Sequence, residues 1–452
     1  MNNLLLLTLC AIEIVLAVLN ISRHTDTKGF RCTRLIANGA EMLVFLVSLI
    51  SPEVNLGLRF TALFVLLIVR LICALFCFLV KLKSEPKKKR VFSKIFSAVL
   101  SCLLFLAALV PSFVFANYNG LPTSGEYEVG FTKAILVDES RTEQFETDGS
   151  FREVPVYFYY PETDGTETFP LVVFSHGAFG YYESNSSTYM ELASNGYVVV
   201  STEHPYHSLF TTDTNGNTII VDTTFISDVV GIDSFSAEEE FEKSSQWVKL
   251  RTDDVNFVLD SIEKACDCGN LDASWNCDDN DEILRALAMC DCSSIGLMGH
   301  SLGGATAVTL GRTRDDIDAV IDFDGTMLGE VTGVENGVAI VNEEPYTVPL
   351  LSFNSEKHKT KVDNCRADGT TYANVTVIDN AEESFETAFI GAEHMNFTDL
   401  PMFSPMLGKM LGIGTADPQE CVEKMNEITL EFFDCYLKND GDFSVEESYD
   451  FS

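Results

Sequence analysis

The chain of 452 residues carries 67 Asp and Glu against 30 Lys and Arg, a formal net charge of −37. A surface of that sign argues against nucleic acid and against docking on anionic lipid headgroups, because both select clustered cations. The charge is unevenly divided: residues 1–116 hold 13 Lys and Arg against 5 Asp and Glu, and the remainder holds 17 against 62. A basic, apolar N-terminal quarter therefore precedes a strongly acidic part long enough for one large domain.

Residues 4–21, 60–80 and 96–116 are apolar runs, each near the roughly 20 residues a helix needs to cross about 30 Å of hydrocarbon. A fourth run, 35–50, is interrupted by Asn38 and Glu41. Residues 1–116 are thus expected to form an α-helical transmembrane region of three or four spans. The segment KLKSEPKKKR, residues 81–90, is the densest basic stretch and belongs on the cytoplasmic side by the positive-inside rule. One span separates it from residues 117–452, which are then extracytoplasmic for either count; four spans also put the basic loop 22–34 inside. A signal peptide is the other reading of the first run, but it lacks a basic leader and further spans follow.

Eight of the 13 cysteines fall in the acidic part: Cys266, Cys268, Cys277, Cys290, Cys292, Cys365, Cys421 and Cys435. In an external domain an even count suggests disulfides, with free thiols as the alternative. Zinc is disfavoured, because the C-x-C pairs are tighter than the usual C-x2-C spacing. Near the C-terminus, KNDGDFSVEE resembles a calcium loop, yet taking Gly441 as its glycine puts Tyr436 and Lys438 where carboxylates belong. No metal or other cofactor is expected.

Residues 154–160 alternate as an outer strand does, whereas PLVVFSHG and YVVVSTEHP are continuous apolar runs of buried parallel strands. Residues 246–264 place Val255, Val258, Leu259 and Ile262 on one helical face. Four further strands are expected at SIGLMGHS, DAVIDFDG, VPLLSFNSE and ANVTVID, with helix-length segments between. That alternation predicts an α/β fold with a mostly parallel, doubly wound sheet. Two long insertions, 208–240 and 266–292, are candidates for rim or lid elements.

The stretch GLMGHSLGGATAV encloses Ser301 in G-x-S-x-G between a strand and a helix rich in small residues. Such an elbow lifts a serine hydroxyl above the sheet, and the helix N-terminus favours developing negative charge. Serine needs a base, usually a histidine held by a carboxylate. His24 lies in the membrane quarter; His176 and His300 sit in glycine turns, suited to supporting roles. His204 and His207 follow a strand and could line a pocket, while His358 sits among lysines in an expected surface loop. His394, in GAEHMNFTDL, lies past the last expected strand, where the Ser…Asp…His order puts the base. For the acid, Asp324 at the end of its strand ranks first, Glu356 at the end of the next second, and the deeper Asp322 third. The turn SHGAFG should supply one oxyanion donor, the Ala178 amide, beside the Leu302 amide.

Together PLVVFSHG, STEHP, GHSLGGAT, DFDGTM, PLLSFNSE and EHMNFTDL resemble, in order, the signatures of the platelet-activating-factor acetylhydrolase family (isoform II, plasma type) of α/β-hydrolases. The resemblance covers about residues 151–437. It implies an α/β-hydrolase fold and a calcium-independent serine esterase of the phospholipase A2 kind, removing short or oxidised acyl chains from the sn-2 position. Carried over position by position, it implies Ser301, Asp324 and His394 as the triad, which favours Asp324 over Glu356, with Ala178 and Leu302 at the oxyanion hole. Leu302 stands where phospholipase members often have Phe, and the membrane region is foreign to the mammalian enzymes. Dienelactone-hydrolase and polyester-hydrolase relatives share the elbow, so esters other than phospholipids, acyl transfer to an alcohol, and a non-catalytic binding protein are the alternatives. Asn396-Phe397-Thr398 is a glycosylation sequon beside His394; a glycan there would crowd the site, which favours a bacterial cell-membrane protein.

Overall fold

The computed structural model describes residues 2–22, 28–51, 54, 56–80, 91–163 and 167–451. The chain divides into two units, Met1–Asn119 with Met402–Met410, and Gly120–Pro401 with Leu411–Ser452.

The first unit is helical: α1 (Asn2–Ser22), α2 (Lys28–Ser48), α3 (Thr61–Val80) and α4 (Val91–Val114). Among the described residues three helices, Leu4–Ser22, Thr61–Val80 and Val91–Val114, are long and apolar enough to cross a membrane. The remaining helix, α2, covers the interrupted fourth run but is not among them. Its polar residues turn inward: Arg31, Asn38 and Glu41 are all buried. Asn38 Nδ2 donates to the Arg70 carbonyl at 3.0 Å, and the Arg70 guanidinium pairs with Glu13. Glu13 also accepts from Ser101 Oγ at 2.9 Å, and Glu41 lies 3.9 Å from Arg70. Leu9, Phe45, Leu63 and Phe105 pack in the apolar core of this unit, while Leu43, Val65, Phe76 and Leu103 are exposed. Apolar groups outside and a few paired polar groups inside are what a lipid solvent selects. The basic segment 81–90 lies outside the described residues.

The second unit is built on ten strands: β1 (Val129–Thr142), β2 (Phe151–Pro161), β3 (Phe169–Ser175), β4 (Val198–Thr202), β5 (Trp275–Asn276), β6 (Cys290–His300), β7 (Ala319–Phe323), β8 (Leu350–Ser355), β9 (Ser384–Ile390) and β10 (Ser448–Asp450). Their order in the sheet is β10-β9-β8-β7-β6-β3-β4-β2-β1-β5. Every neighbour pair from β10 to β4 is parallel, and β2, β1 and β5 add an antiparallel edge. The apolar runs of β3, β4 and β7 are buried along almost their whole length, as strands covered on both faces must be. This is the mostly parallel α/β-hydrolase-like sheet that the sequence predicts.

The main helices are α5 (Ser186–Ser194), α6 (Thr223–Val230), α7 (Ala237–Cys268), α8 (Asn280–Ala288), α9 (Leu302–Thr313), α10 (Glu356–Asp368), α11 (Ala373–Asp379) and α12 (Pro418–Lys438). The 32-residue α7 opens with a Ser236–Glu239 capping box and stops at Gly269, whose φ of 62° closes it. Its buried face carries Val255, Val258, Leu259 and Ile262 as expected, and also two charged residues, Arg251 and Asp254.

Two expectations are corrected, and the two insertions prove to be ordered. ANVTVID is the helix α11, not a strand, and the strand is the later SFETAFI of β9. Its β-branched residues imitate a buried strand, but the Asn374 side chain donates to the Gly325 carbonyl at 2.8 Å and accepts from the Met327 amide at 3.0 Å, pinning one helical turn. All 13 cysteines are free thiols, and several donate to nearby oxygens instead, Cys277 to Asn280 Oδ1 at 3.0 Å and Cys266 to the Leu287 carbonyl at 3.4 Å. The two insertions are structured: 208–240 holds the strand pair Phe210–Thr212 and Thr218–Ile220 with α6, and 266–292 holds β5 and α8.

Candidate active site

Ser301 sits between β6 and α9 with φ 57° and ψ −120°, a region that costs a non-glycine residue of order 1–3 kcal/mol and recurs at functional turns. Its amide donates to the Phe323 carbonyl at 3.0 Å. The turn is possible only because its neighbours lack side chains. A Cβ on Gly303 would lie 1.9 Å from the Ser175 carbonyl oxygen, and one on Gly304 would lie 1.8 Å from Asp322 Oδ1. The close approach brings the loop after β3 over the serine: a Cβ on Gly177 would be 3.2 Å from that of Ser301.

Asp324 follows β7, also with positive φ, 53°. Its carboxylate is buried and multiply bonded. Oδ2 meets His394 Nδ1 at 2.7 Å, and Oδ1 accepts from the Ser355 amide at 2.6 Å and meets His358 Nδ1 at 3.1 Å. Burial alone would raise this carboxyl, but the hydrogen bonds and charges of His358 and His394 outweigh it and hold it well below the usual range. Since an ionised carboxylate can only accept, His394 carries a proton on Nδ1, and Nε2 is the nitrogen turned away from the acid. His394 begins the short turn His394–Phe397 beyond β9 and is 43% exposed at its side chain. Beneath it, His300 donates from Nε2 to the His394 carbonyl at 3.1 Å, with the rings 4.5 Å apart. Burial first, and then the charge of His394, pushes His300 down to about 3, so it stays neutral and cannot compete as a base.

The other acid candidates are engaged elsewhere. Glu356 accepts from the Gly391 amide at 2.8 Å, and no hydrogen bond joins it to a histidine among the described residues. Asp322 lies deeper, as period-2 counting predicts, accepting from the Gly325 amide at 2.9 Å. Burial, and then the nearby Asp324 charge, raises Asp322 well above the ordinary carboxyl range.

On the opposite side, the amides of Ala178 and Leu302 have no backbone acceptor among the described residues. Those of Phe179 and Gly180 are engaged, with the carbonyls of His207 and Gly177. Leu302 is the first residue of α9, where an amide has no intrahelical partner. Leu302 and Ala305 also join an apolar cluster with Val221, Phe225, Trp247 and Val248, against which Ala178 and Phe179 pack. The 208–240 insertion thus walls the site with apolar side chains.

The histidines expected in loops or pockets lie elsewhere. His358 is in the first turn of α10, bridging Asp324 and the Tyr372 hydroxyl at 2.7 Å. His204 does not line a pocket: it is fully buried, with Nε2 2.9 Å from Ser175 Oγ and Nδ1 3.0 Å from Asp254 Oδ2. His207 is buried too, stacked on Phe225 at 3.7 Å, and His176 Nε2 meets Ser208 Oγ at 2.8 Å. Ser175, His204 and Asp254 repeat the atom order of a hydrolase triad, but all three are buried and Asp254 is also held by Arg152 and Arg141. That network locks the end of β3, from which the Ala178 loop springs. The sequence reading missed Asp254 and Arg251; the only local signal is LRTDD, which puts them at i and i+3 on one helical face.

Among the described residues no group of three His, Cys, Asp or Glu side chains is placed to hold a metal ion. The sequon residue Asn396 is buried, and its Oδ1 accepts from the Glu393 and Gly414 amides, both at 3.0 Å.

Comparison with solved structures finds a ferulic acid esterase from Streptomyces cinnamoneus at TM-score 0.52 and 20% identity, covering 71% of this chain and 93% of that one. The likeness is one of fold. Among curated proteins, a platelet-activating factor acetylhydrolase from Cavia porcellus is 25% identical over 304 residues, 64% of this chain and 62% of that protein. One from Gallus gallus is 26% identical over 305 residues, 62% of this chain and 65% of that protein. The chain therefore spans less than two thirds of the length of these relatives. The family model described as platelet-activating factor acetylhydrolase, isoform II, matches residues 121–449, a stretch that includes β1 to β9, Ser301, Asp324 and His394, and the chain belongs to that family.

Proposed function

We propose that the chain is a serine carboxylic-ester hydrolase acting through Ser301, His394 and Asp324, with a short-acyl lipid ester as substrate. The observation that carries this is the 2.7 Å bond from His394 Nδ1 to Asp324 in a domain whose strained strand-to-helix turn presents a serine. His394 Nε2 takes the Ser301 proton as Oγ attacks the ester carbonyl. The carbonyl oxygen gains the negative charge and receives the Ala178 and Leu302 amides. As that intermediate collapses, His394 gives the proton to the leaving alkoxide, and an acyl-serine remains. Water repeats the sequence from the other side and releases the carboxylic acid.

Family membership and the apolar wall around Leu302 support a lipid acyl group, and the three apolar helices support activity at a membrane. In this reading residues 1–116 anchor the chain as a multi-pass region, and residues 117–452 work on the extracytoplasmic side of the cell membrane. The purified full chain in detergent, assayed on p-nitrophenyl acetate and a short-acyl phosphatidylcholine, should hydrolyse both. Ser301→Ala should abolish both activities and fluorophosphonate labelling; activity retained in that variant refutes the assignment.

A further inference from the structure

Arg251 is buried completely on the core face of α7, where an ionised side chain is retained only at considerable cost. No carboxylate lies within ion-pair distance of it among the described residues; Asp254, one turn along, is taken by Arg152, Arg141 and His204. The guanidinium faces main-chain oxygens instead. Nη1 donates to the His176 carbonyl, Nη2 donates to the Gly177 carbonyl at 3.2 Å, and Nε approaches His207 Nδ1 at 3.4 Å. Both carbonyls belong to the loop that carries Ala178.

The geometry of a trans peptide gives this grip a direction. In the Gly177–Ala178 peptide, as in every peptide described, the C=O and N–H point to opposite sides. Holding the Gly177 oxygen toward α7 therefore turns the Ala178 N–H away from α7, in a loop that lies against the serine, a Cβ on Gly177 being 3.2 Å from that of Ser301. A positive charge on the oxygen also draws electron density along the amide and makes that N–H a stronger donor. Because the fork spans two successive carbonyls, it anchors both the 176–177 and the 177–178 peptide planes, one bond to each.

We propose that Arg251 is a positioning residue of the oxyanion loop, aiming and polarising the Ala178 amide at the charge that forms when Ser301 attacks an ester. The proposal rests on the assignment of Ser301 above. It assigns a catalytic consequence to a side chain that never touches substrate, so the effect belongs in kcat and in the affinity for tetrahedral adducts, not in KM.

The experiment compares the full chain in detergent with Arg251→Met, of similar volume and neutral, and Arg251→Lys, charged but without the fork. Active sites are counted by exhaustive fluorophosphonate labelling, and kcat per labelled site and KM are measured on p-nitrophenyl butyrate. Inhibition by a trifluoromethyl ketone, whose adduct places an oxyanion at the same point, is measured alongside. Loss of one aimed donor predicts a fall in kcat of about 100-fold for Arg251→Met with KM within about threefold, and a parallel weakening of the ketone. Arg251→Lys should fall by roughly tenfold, since an ammonium lacks the rigid fork that reaches both carbonyls. A purely structural role would lower the number of labelled sites and leave kcat per site and ketone affinity unchanged, which overturns the proposal. Should Arg251→Met not fold, wild-type kcat and ketone affinity in Arg251→Lys overturn it equally. Ser301→Ala in the same assay keeps the two questions apart: activity there refutes the nucleophile, whereas an inactive Ser301→Ala beside a fully active Arg251→Met refutes only the role of Arg251.

Discussion

His358 faces the Asp324 carboxylate across 3.1 Å, on the oxygen that His394 does not use. Two imidazoles therefore share one acid, and the second is backed by the Tyr372 hydroxyl at 2.7 Å. His358→Leu should remove one of the bonds that keep Asp324 ionised. A depressed carboxyl contributes stability above its unfolded pKa and loses it as pH falls through the folded one. The variant should thus be less stable than the parent at pH 6–7, by about 1.5–3 kcal/mol for a bond to a charged group, with the gap closing only as pH falls well below the ordinary carboxyl range toward the depressed folded value. Thermal unfolding carried from pH 7 down to about pH 1 tests this; a gap independent of pH would mean that His358 acts by packing alone.

Three buried histidines, His204, His207 and His300, are each held below the ordinary imidazole range, chiefly by burial. Their native forms are neutral, so below about pH 6.5 the unfolded chain binds more protons than the folded one and stability falls with pH. For His300, pushed down to about 3, the loss runs from pH 6.5 toward pH 3 at up to about 1.4 kcal/mol per pH unit. His300→Gln keeps a donor for the His394 carbonyl but cannot protonate. Its unfolding temperature should decline less steeply between pH 6.5 and 4 than that of the parent. Equal slopes would show that His300 is not held neutral.

The parts of the site that are readable from sequence are those whose chemistry is local. Ser301 and its glycines announce a strand-to-helix turn within nine residues, and Asp324 and His394 close segments whose place in chain order is characteristic. His358 is not readable, because the lysines of NSEKHKTK describe a solvated face. Only the parallel pairing of β7 with β8, Phe353 against Phe323, brings the start of α10 next to Asp324. Arg251 and Asp254 fail for a related reason. Two charged residues on an otherwise apolar helix face read as the polar edge of an amphipathic helix until the fold sets Arg251 against the carbonyls of the loop after β3. In the fold, the parallel sheet follows from its apolar runs, whereas α11 does not, since β-branched residues leave helix and strand undecided over seven positions.

Gly303 offers a sharper test of the elbow than the serine itself. A methyl group there would meet a main-chain oxygen, that of Ser175, at 1.9 Å, and a backbone cannot rotate away as a side chain would. Gly303→Ala should cost about 1–3 kcal/mol in overpacking. It should also lower kcat, because Ser175 ends β3 and carries the Ala178 loop. Gly333→Ala, where φ is not positive and a Cβ would meet nothing nearer than Ile340 Cδ1 at 3.8 Å, gives the control for composition. Unfolding temperature and kcat per labelled site should fall together in Gly303→Ala, and an unperturbed kcat would separate the loop from the elbow.

In the helical unit, Arg70 holds the balance of charge between Glu13, which it contacts directly, and Glu41 at 3.9 Å. Removing the Arg70 guanidinium takes from Glu13 its ion-pair partner in an apolar bundle, so Arg70→Leu should cost about 3–5 kcal/mol, the usual penalty for breaking a buried pair. The companion change decides whether charge or shape is at stake. With Glu13→Leu and Glu41→Leu added, no buried charge of the cluster remains, and apolar replacements of buried ion pairs are often neutral or stabilising. Stability of the full chain in detergent should therefore be impaired in the single variant and restored in the triple one. If the triple variant is as unstable as the single, the cluster holds the helices by its hydrogen bonds, including Ser101 to Glu13, and its charges are incidental.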